Sequence, residues 1–439
     1  METFATAMAG ALPGQAPTEP ELLYERLAGC PTRPGIVTTV RGMGSNLPSW
    51  VHYHLAVGFC KLYIYLDDPE EADALEALAT DERVVLTKCD DAHRATWQDL
   101  KMWPKFAKFV DEEVQARQEL NAEHAVGKAL RDAVTWLLHI DADELFHCPA
   151  CTVSEHFASL SQDGVTVMNY INYEGVPEQD EFENFLENVT LFKRHLSHLP
   201  GYTKDKPVTD AVNFWVRRSA TKQQYFVGYQ NGKSAVAVVE GAVPLSVHEW
   251  LPPTPGLFKR GCLNIRDLDT GGALTYREDK ACVLHYISCG FEWWWRKYSL
   301  LGRFEDAWFG GALPIPACFH TQSRDLVNSG AKEKARGFYR NTMVLTDGPE
   351  KDKQIALGVL QRIDLPRELM LQARTGVVEG SQKCNQSAVL EACGSSDCTQ
   401  SSAPVDLLRC SRCKSVNYCS EQCQRSDWPR HRVKCVPSS

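Results

Sequence analysis

No apolar run in the 439-residue chain approaches the ~18 residues that a membrane-crossing helix requires. The opening METFATAMAGALPGQAPTEP has neither a basic stretch nor a continuous apolar core, so no secretory signal is read there. The expectation is a cytoplasmic protein that is not secreted, with a nuclear location left open. Basic charge is also short. Lys and Arg number 47 against 56 Asp and Glu, a formal charge of −9, which makes nucleic acid a poor partner, because phosphate contact needs a basic surface. With 44% hydrophobic and 23% charged residues the composition is that of a globular chain, not a disordered one. The length suggests two or three domains.

Cysteine is plentiful, with 17 residues spread unevenly. Without a secretion signal, reduced thiols and metal sites are favoured over disulfides. The chain divides into a flexible tail (1–30), an α/β region (31–373), a polar linker (374–392) and a short cysteine-rich segment (393–435). Within the α/β region, Ile36–Val40, Lys61–Asp68 and Arg83–Lys88 read as strands. A long helix with Val114, Leu120, Val126, Leu130 and Val134 near one stripe follows, and then the apolar run TWLLHIDADELF. Strands alternating with helices predict a mostly parallel sheet, with ligands outside the carboxyl ends of its strands.

In the last segment the potential ligands run Cys393-x4-Cys398-x11-Cys410-x2-Cys413-x5-Cys419-x3-Cys423-x7-His431-x3-Cys435. Eight thiolate or imidazole ligands suit two tetrahedral Zn²⁺ ions. The segment has too few large apolar residues to fold by burial, so metal must supply most of its folding energy. Tyr418-Cys419-Ser420, Gln422-Cys423-Gln424, Asp427-Trp428 and His431-x3-Cys435 resemble the MYND zinc finger. That resemblance implies cross-braced sites. Cys393, Cys398, Cys419 and Cys423 would hold one structural Zn²⁺, and Cys410, Cys413, His431 and Cys435 the other. It also implies a surface for short peptides of partner proteins. Cys384 lies outside the pattern and reads as a free thiol.

Asp141 and Asp143 follow the apolar strand run, where alternate side chains point the same way. Two neighbouring carboxylates repel, and a hard divalent cation with oxygen ligands satisfies them; neutralising one is expected to leave stability little changed or to raise it. A second such pair, Asp267 and Asp269, sits in a glycine-rich loop with no buried strand before it.

Taken in order, Trp50-Val-His52-Tyr53-His54, the strand ending in Asp67-Asp68, Trp136-Leu137 through Asp141-Ala-Asp143-Glu144, Gly232-Lys233-Ser234 and Leu284-His285-Tyr286 resemble the family-2-like glycosyltransferases of GT-A fold. The likeness covers about Val37 to Arg303. Arg41-Gly-Met-Gly stands where such families carry Asn-Glu, and 179–206 has no counterpart.

The resemblance implies a GT-A-like, Rossmann-related domain carrying out an inverting hexosyl or related transfer from a nucleotide-diphosphate sugar to an unknown acceptor. Asp141 and Asp143 would hold Mn²⁺ or Mg²⁺, and Asp67 or Asp68 would contact ribose or base. Lys233 would face a phosphate or be a solvated turn lysine. His285 would be a late metal ligand, a diphosphate contact or a core histidine. His248 or Glu249 would be the general base, with Glu174, Asp180 and Glu181 as competitors. Trp293, Trp294 and Trp295 would be core or a sugar platform. The competing expectation is a catalytically silent domain in a zinc-dependent interaction scaffold.

Overall fold

The computed structural model of the protein describes residues 31–199, 201–251, 260–262 and 281–375, with 408–409, 417–418, 425, 428 and 432. The chain divides into two compact units, Met1–Thr375 and Gly376–Ser439. The tail 1–30, the pair Asp267 and Asp269, most of the 374–392 stretch and all eight expected zinc ligands lie outside the described residues.

The first unit is built on strands β1 (Pro34–Val40), β2 (Lys61–Leu66), β3 (Val84–Lys88) and β4 (Trp136–His139). They pair in parallel in the order β4-β1-β2-β3. Every residue of β1 is buried, because the sheet is covered on both faces. Ile36, Leu62 and Ile64 pack with Trp50 of helix α1 (Asn46–Ala56). The alternate residues Val37, Tyr63 and Tyr65 pack on helix α2 (Val114–Arg131). The buried face of α2 adds Ala116, Ala122, Ala125 and Ala129 to larger residues expected there. Leu120 and Val126 do lie on it, but Val134 falls beyond the helix end.

Strand β9 (Lys233–Ala237) extends the sheet antiparallel to β4, and β6 (Val167–Tyr170) follows antiparallel to β9. The edge strand β12 (Arg260–Cys262) is parallel to β6. The expected α/β class and parallel core are present, and β9 interrupts the parallel run.

The run TWLLHIDADELF is two strands, not one. After β4 the chain turns at Asp141–Asp143 and re-enters as β5 (Glu144–His147), the edge of a second sheet. That sheet orders the strand Leu360–Arg362, β8 (Leu191–Lys193), β7 (Asn172–Gly175), β13 (Cys282–His285) and β5. β5 runs antiparallel to β13, with Glu144 opposite His285. The outer edge of β5 is satisfied by side chains of α1. Trp50 Nε1 donates to the Glu144 carbonyl (2.8 Å), Tyr53 Oη to the Phe146 carbonyl (3.0 Å), and the Phe146 amide donates to His54 Nε2 (3.2 Å). An edge strand with its polar groups paired cannot drift or recruit another strand. The Trp and Tyr-His that precede β2 therefore fasten the strand that follows the acidic turn. After β5 come Cys148–Cys151 and helix α3 (Val153–Gln162).

Of the second unit, Leu408–Arg409 pairs antiparallel with Asn417–Tyr418, and Trp428 and Arg432 are exposed. Among the described residues no helix is long and apolar enough to cross a membrane.

Candidate functional site

A cleft of about 420 Å³ opens where the two sheets meet. Its floor is the carboxyl ends of three parallel strands: Val40 at the end of β1 with Arg41 after it, Asp67 after β2, and Asp141 to Asp143 after β4. One wall is the start of α2, and the other is helix α4 (Phe291–Leu301) with Trp293, Lys297 and Tyr298. Tyr229, His248 and His285 line it as well.

Asp141 and Asp143 sit in the turn between the sheets and not on a strand, so strand alternation is not what brings them together. The turn is closed by the Glu144 amide donating to the Asp141 carbonyl (3.1 Å) and by the Tyr286 amide donating to the Asp143 carbonyl (2.8 Å). Nor do the two carboxylates face each other uncompensated. Asp141 accepts from Lys233 Nζ (2.8 Å) and from Gln118 Nε2 (2.8 Å), and Asp143 accepts from Lys297 Nζ (2.7 Å). Burial pushes the Asp141 carboxyl up, but the charge and hydrogen bond of Lys233 win and hold it well below the usual range. Burial would lower Lys297, yet Asp143 leaves it raised. Glu144, fully buried, is raised far above a normal carboxylate by burial. Its carboxyl accepts the Asp141 amide (2.7 Å) and lies 3.8 Å from Lys233 Nζ.

Lys233 is fully buried behind Asp141 and does not line the cleft. It is neither a solvated turn lysine nor a group at the surface of the cleft. Gly232 explains how it gets there. With φ +67° and the Tyr170 carbonyl oxygen 1.8 Å from where a Cβ would stand, only glycine fits. The backbone then delivers Lys233 into the core at the start of β9.

Asp67 is buried and bound through both oxygens to the Arg117 guanidinium (2.6 and 2.9 Å). Asp68 does not line the cleft. It accepts from the Glu70 amide (3.1 Å) and lies 3.9 Å from Arg41. His248 lines the cleft, whereas its neighbour Glu249, on β11 (Glu249–Leu251) opposite β10 (Val243–Ser246), does not. Glu174 is turned inward to Lys193 and the amides of Val227 and Gly228, and Asp180 and Glu181 pair with Arg336. Trp294 is core, while Trp293 lines the cleft.

Tyr229 was not anticipated. Its ring stacks on His285 (centroids 4.7 Å, 23°) and meets His248 edge-on (4.4 Å, 64°). Burial holds His285 down to about 4, and burial followed by the charge of Lys233 holds His248 down to about 3. His285 Nδ1 is buried with no hydrogen-bond partner among the described residues, a state it shares with His139 Nε2 and His147 Nδ1 but, unlike them, at the cleft. Gln118, Arg117 and Lys297 were also missed. Each is an ordinary polar residue on a helix, with no signal in local spacing.

The sequence profile of the MYND finger family matches residues 382–435. The match begins ahead of Cys393 and includes Cys384 and part of the stretch expected to be linker. Two glycosyltransferase-like proteins of Arabidopsis thaliana are 26% identical to the chain over 364 and 365 residues. Both alignments cover 78% of this chain; they span 73% of the first relative and 64% of the second, somewhat under two thirds of its length. The N-lysine methyltransferase SMYD2 of Bos taurus is 52% identical over 31 residues, 7% of either chain. The protein thus joins an α/β region similar to glycosyltransferase-like proteins to a C-terminal MYND-type finger, whose family implies zinc binding.

Proposed function

We propose that the first unit is a GT-A-type glycosyltransferase that takes a nucleoside-diphosphate sugar with Mn²⁺ or Mg²⁺, and that the finger holds two Zn²⁺ and captures a peptide of a partner protein. The observation that carries this reading is the convergence of Asp67, Asp141, Asp143 and His285 on one cleft at the carboxyl ends of parallel strands. The donor set of two carboxylates and an unpartnered imidazole nitrogen suits a hard divalent cation. Bound there, the cation would supply charge neutralisation for a diphosphate leaving group. The donor atoms are not yet gathered as a held ion would gather them, so loading the site must loosen the Lys297–Asp143 pair. Lys297, part-exposed on the cleft wall, is then free to turn to a phosphate oxygen.

His248 Nδ1 lies 2.8 Å from the Gly232 carbonyl. A carbonyl only accepts, so Nδ1 carries the proton and Nε2 keeps its lone pair. The neutral ring can receive a proton from an acceptor hydroxyl, although its depressed pKa makes it a weak base. His248→Gln should therefore lower turnover by about 10²-fold with donor binding intact.

A second reading has its own observation. Each acid of the turn already has an ammonium partner, and Asp67 has a guanidinium. A domain so neutralised can persist as a silent scaffold while the finger makes the contacts. Calorimetric titration of UDP with and without Mn²⁺ separates the two. Mn²⁺-dependent binding that disappears in Asp143→Asn supports the enzyme, and no heat in either case leaves the scaffold.

A further inference from the structure

β5 ends at His147, and Cys148-Pro149-Ala150-Cys151 carries the chain into α3. Thr152 caps that helix in a reciprocal pair with Glu155, which fixes the loop's exit. His156, one turn into α3, is 2% exposed. The Sγ atoms of Cys148 and Cys151 stand 3.6 Å apart. Together with a ring nitrogen of His156 they form a cluster whose three donor atoms lie within 4.8 Å of one another. None of the three lines the cleft.

Two zinc-bound sulfurs, each about 2.3 Å from a tetrahedral ion, stand roughly 3.8 Å apart; a disulfide requires about 2.05 Å. The observed separation suits the first without backbone movement. His156 Nε2 is engaged by Tyr170 Oη at 2.8 Å, which fixes the ring and leaves Nδ1 as the remaining donor. An outer hydrogen bond of this kind accompanies most metal-bound histidines. Thiolate and imidazole donors select a soft-to-borderline ion.

We propose that Cys148, Cys151 and His156 bind one Zn²⁺, with water in the fourth position, outside both the cleft and the finger. Binding releases both thiol protons to water and leaves the ion with two thiolates and a neutral imidazole. The site clamps the far end of β5, the strand whose near end carries Asp141 to Glu144, to α3.

The test uses the full chain reconstituted with Zn²⁺. Elemental analysis should show one zinc fewer per chain in Cys148→Ser/Cys151→Ser than in wild type; equal zinc overturns the proposal. The wild-type protein supplies an independent readout that does not depend on how the variant folds. Native iodoacetamide labelling, read by peptide mass spectrometry, should leave Cys148 and Cys151 protected until EDTA is added. Free labelling of the zinc-loaded protein overturns the site. Protection lifted by a reductant and not by EDTA identifies a disulfide and overturns it equally.

Discussion

Lys297 Nζ lies 2.7 Å from Asp143 Oδ2, a contact that ties the acidic turn to a helix 154 residues further along the chain. With Lys233 on Asp141, it turns what reads in the sequence as two repelling carboxylates into two adjacent ion pairs. The turn is thus electrostatically balanced without an ion, and a cation entering it has to compete with lysine.

Asp143→Asn should therefore destabilise the first unit by about 1–3 kcal/mol, because it leaves a part-buried ammonium unpaired. Lys297→Met should cost a similar amount, and the double variant should recover most of it. Urea denaturation of the four species as a double-mutant cycle measures the coupling. A stabilising Asp143→Asn would restore the picture of unrelieved repulsion.

Gly232→Ala should cost roughly 3 kcal/mol or more, combining overpacking against the Tyr170 carbonyl with a strained φ. Gly330→Ala has a similar φ of +71° but meets nothing within 4 Å, so it should lose only about 1 kcal/mol. Equal losses at the two positions would show that the close approach has no energetic weight.

Stability should fall as the solution is acidified below neutrality. His54 donates from Nδ1 to the Trp50 carbonyl and accepts the Phe146 amide at Nε2, so both nitrogens are used only in the neutral ring. Burial holds His54 and His139 down to about 3 and His285 down to about 4, while in the unfolded chain each titrates near ~6.5. The unfolded state then binds more protons below that value. The stabilisation is complete above ~6.5 and is lost as pH falls from there toward the folded values, by up to about 1.4 kcal/mol per pH unit for each ring. Urea midpoints at pH 7.5, 6.5 and 5.5 should decline in that order, and His54→Gln should flatten the decline. A level profile would contradict the neutral assignment.

Truncation after Gly380 should leave nucleotide binding within about tenfold of the full chain, or ~1.4 kcal/mol. Every cleft residue belongs to the unit Met1–Thr375. The finger should act by raising the local concentration of a partner, an effect absent with free small substrates. Calorimetry on both forms with UDP and Mn²⁺ decides it, and a larger drop would mean that the finger contributes to the cleft.

What the sequence by itself determined was local. The ligand spacing between Cys393 and Cys435 identified the finger, because a metal site built from one short segment writes its geometry into residue intervals. Alternating apolar runs identified β1 to β4, and the acids after β4 marked a strand end. The tertiary structure decided what those acids meet. The switch from one sheet to the other at Asp141–Asp143 cannot be read from an apolar run that continues on both sides of it. Lys233, 92 residues away, and Lys297 reach the acids only because β9 and α4 pack where the sheets join. His248 and Glu249 are neighbours in sequence, yet only the first lines the cleft. Periodicity and ligand spacing are set over a few residues. Which charge neutralises which, and which side chain faces a cleft, depends on contacts that form only when distant elements pack together.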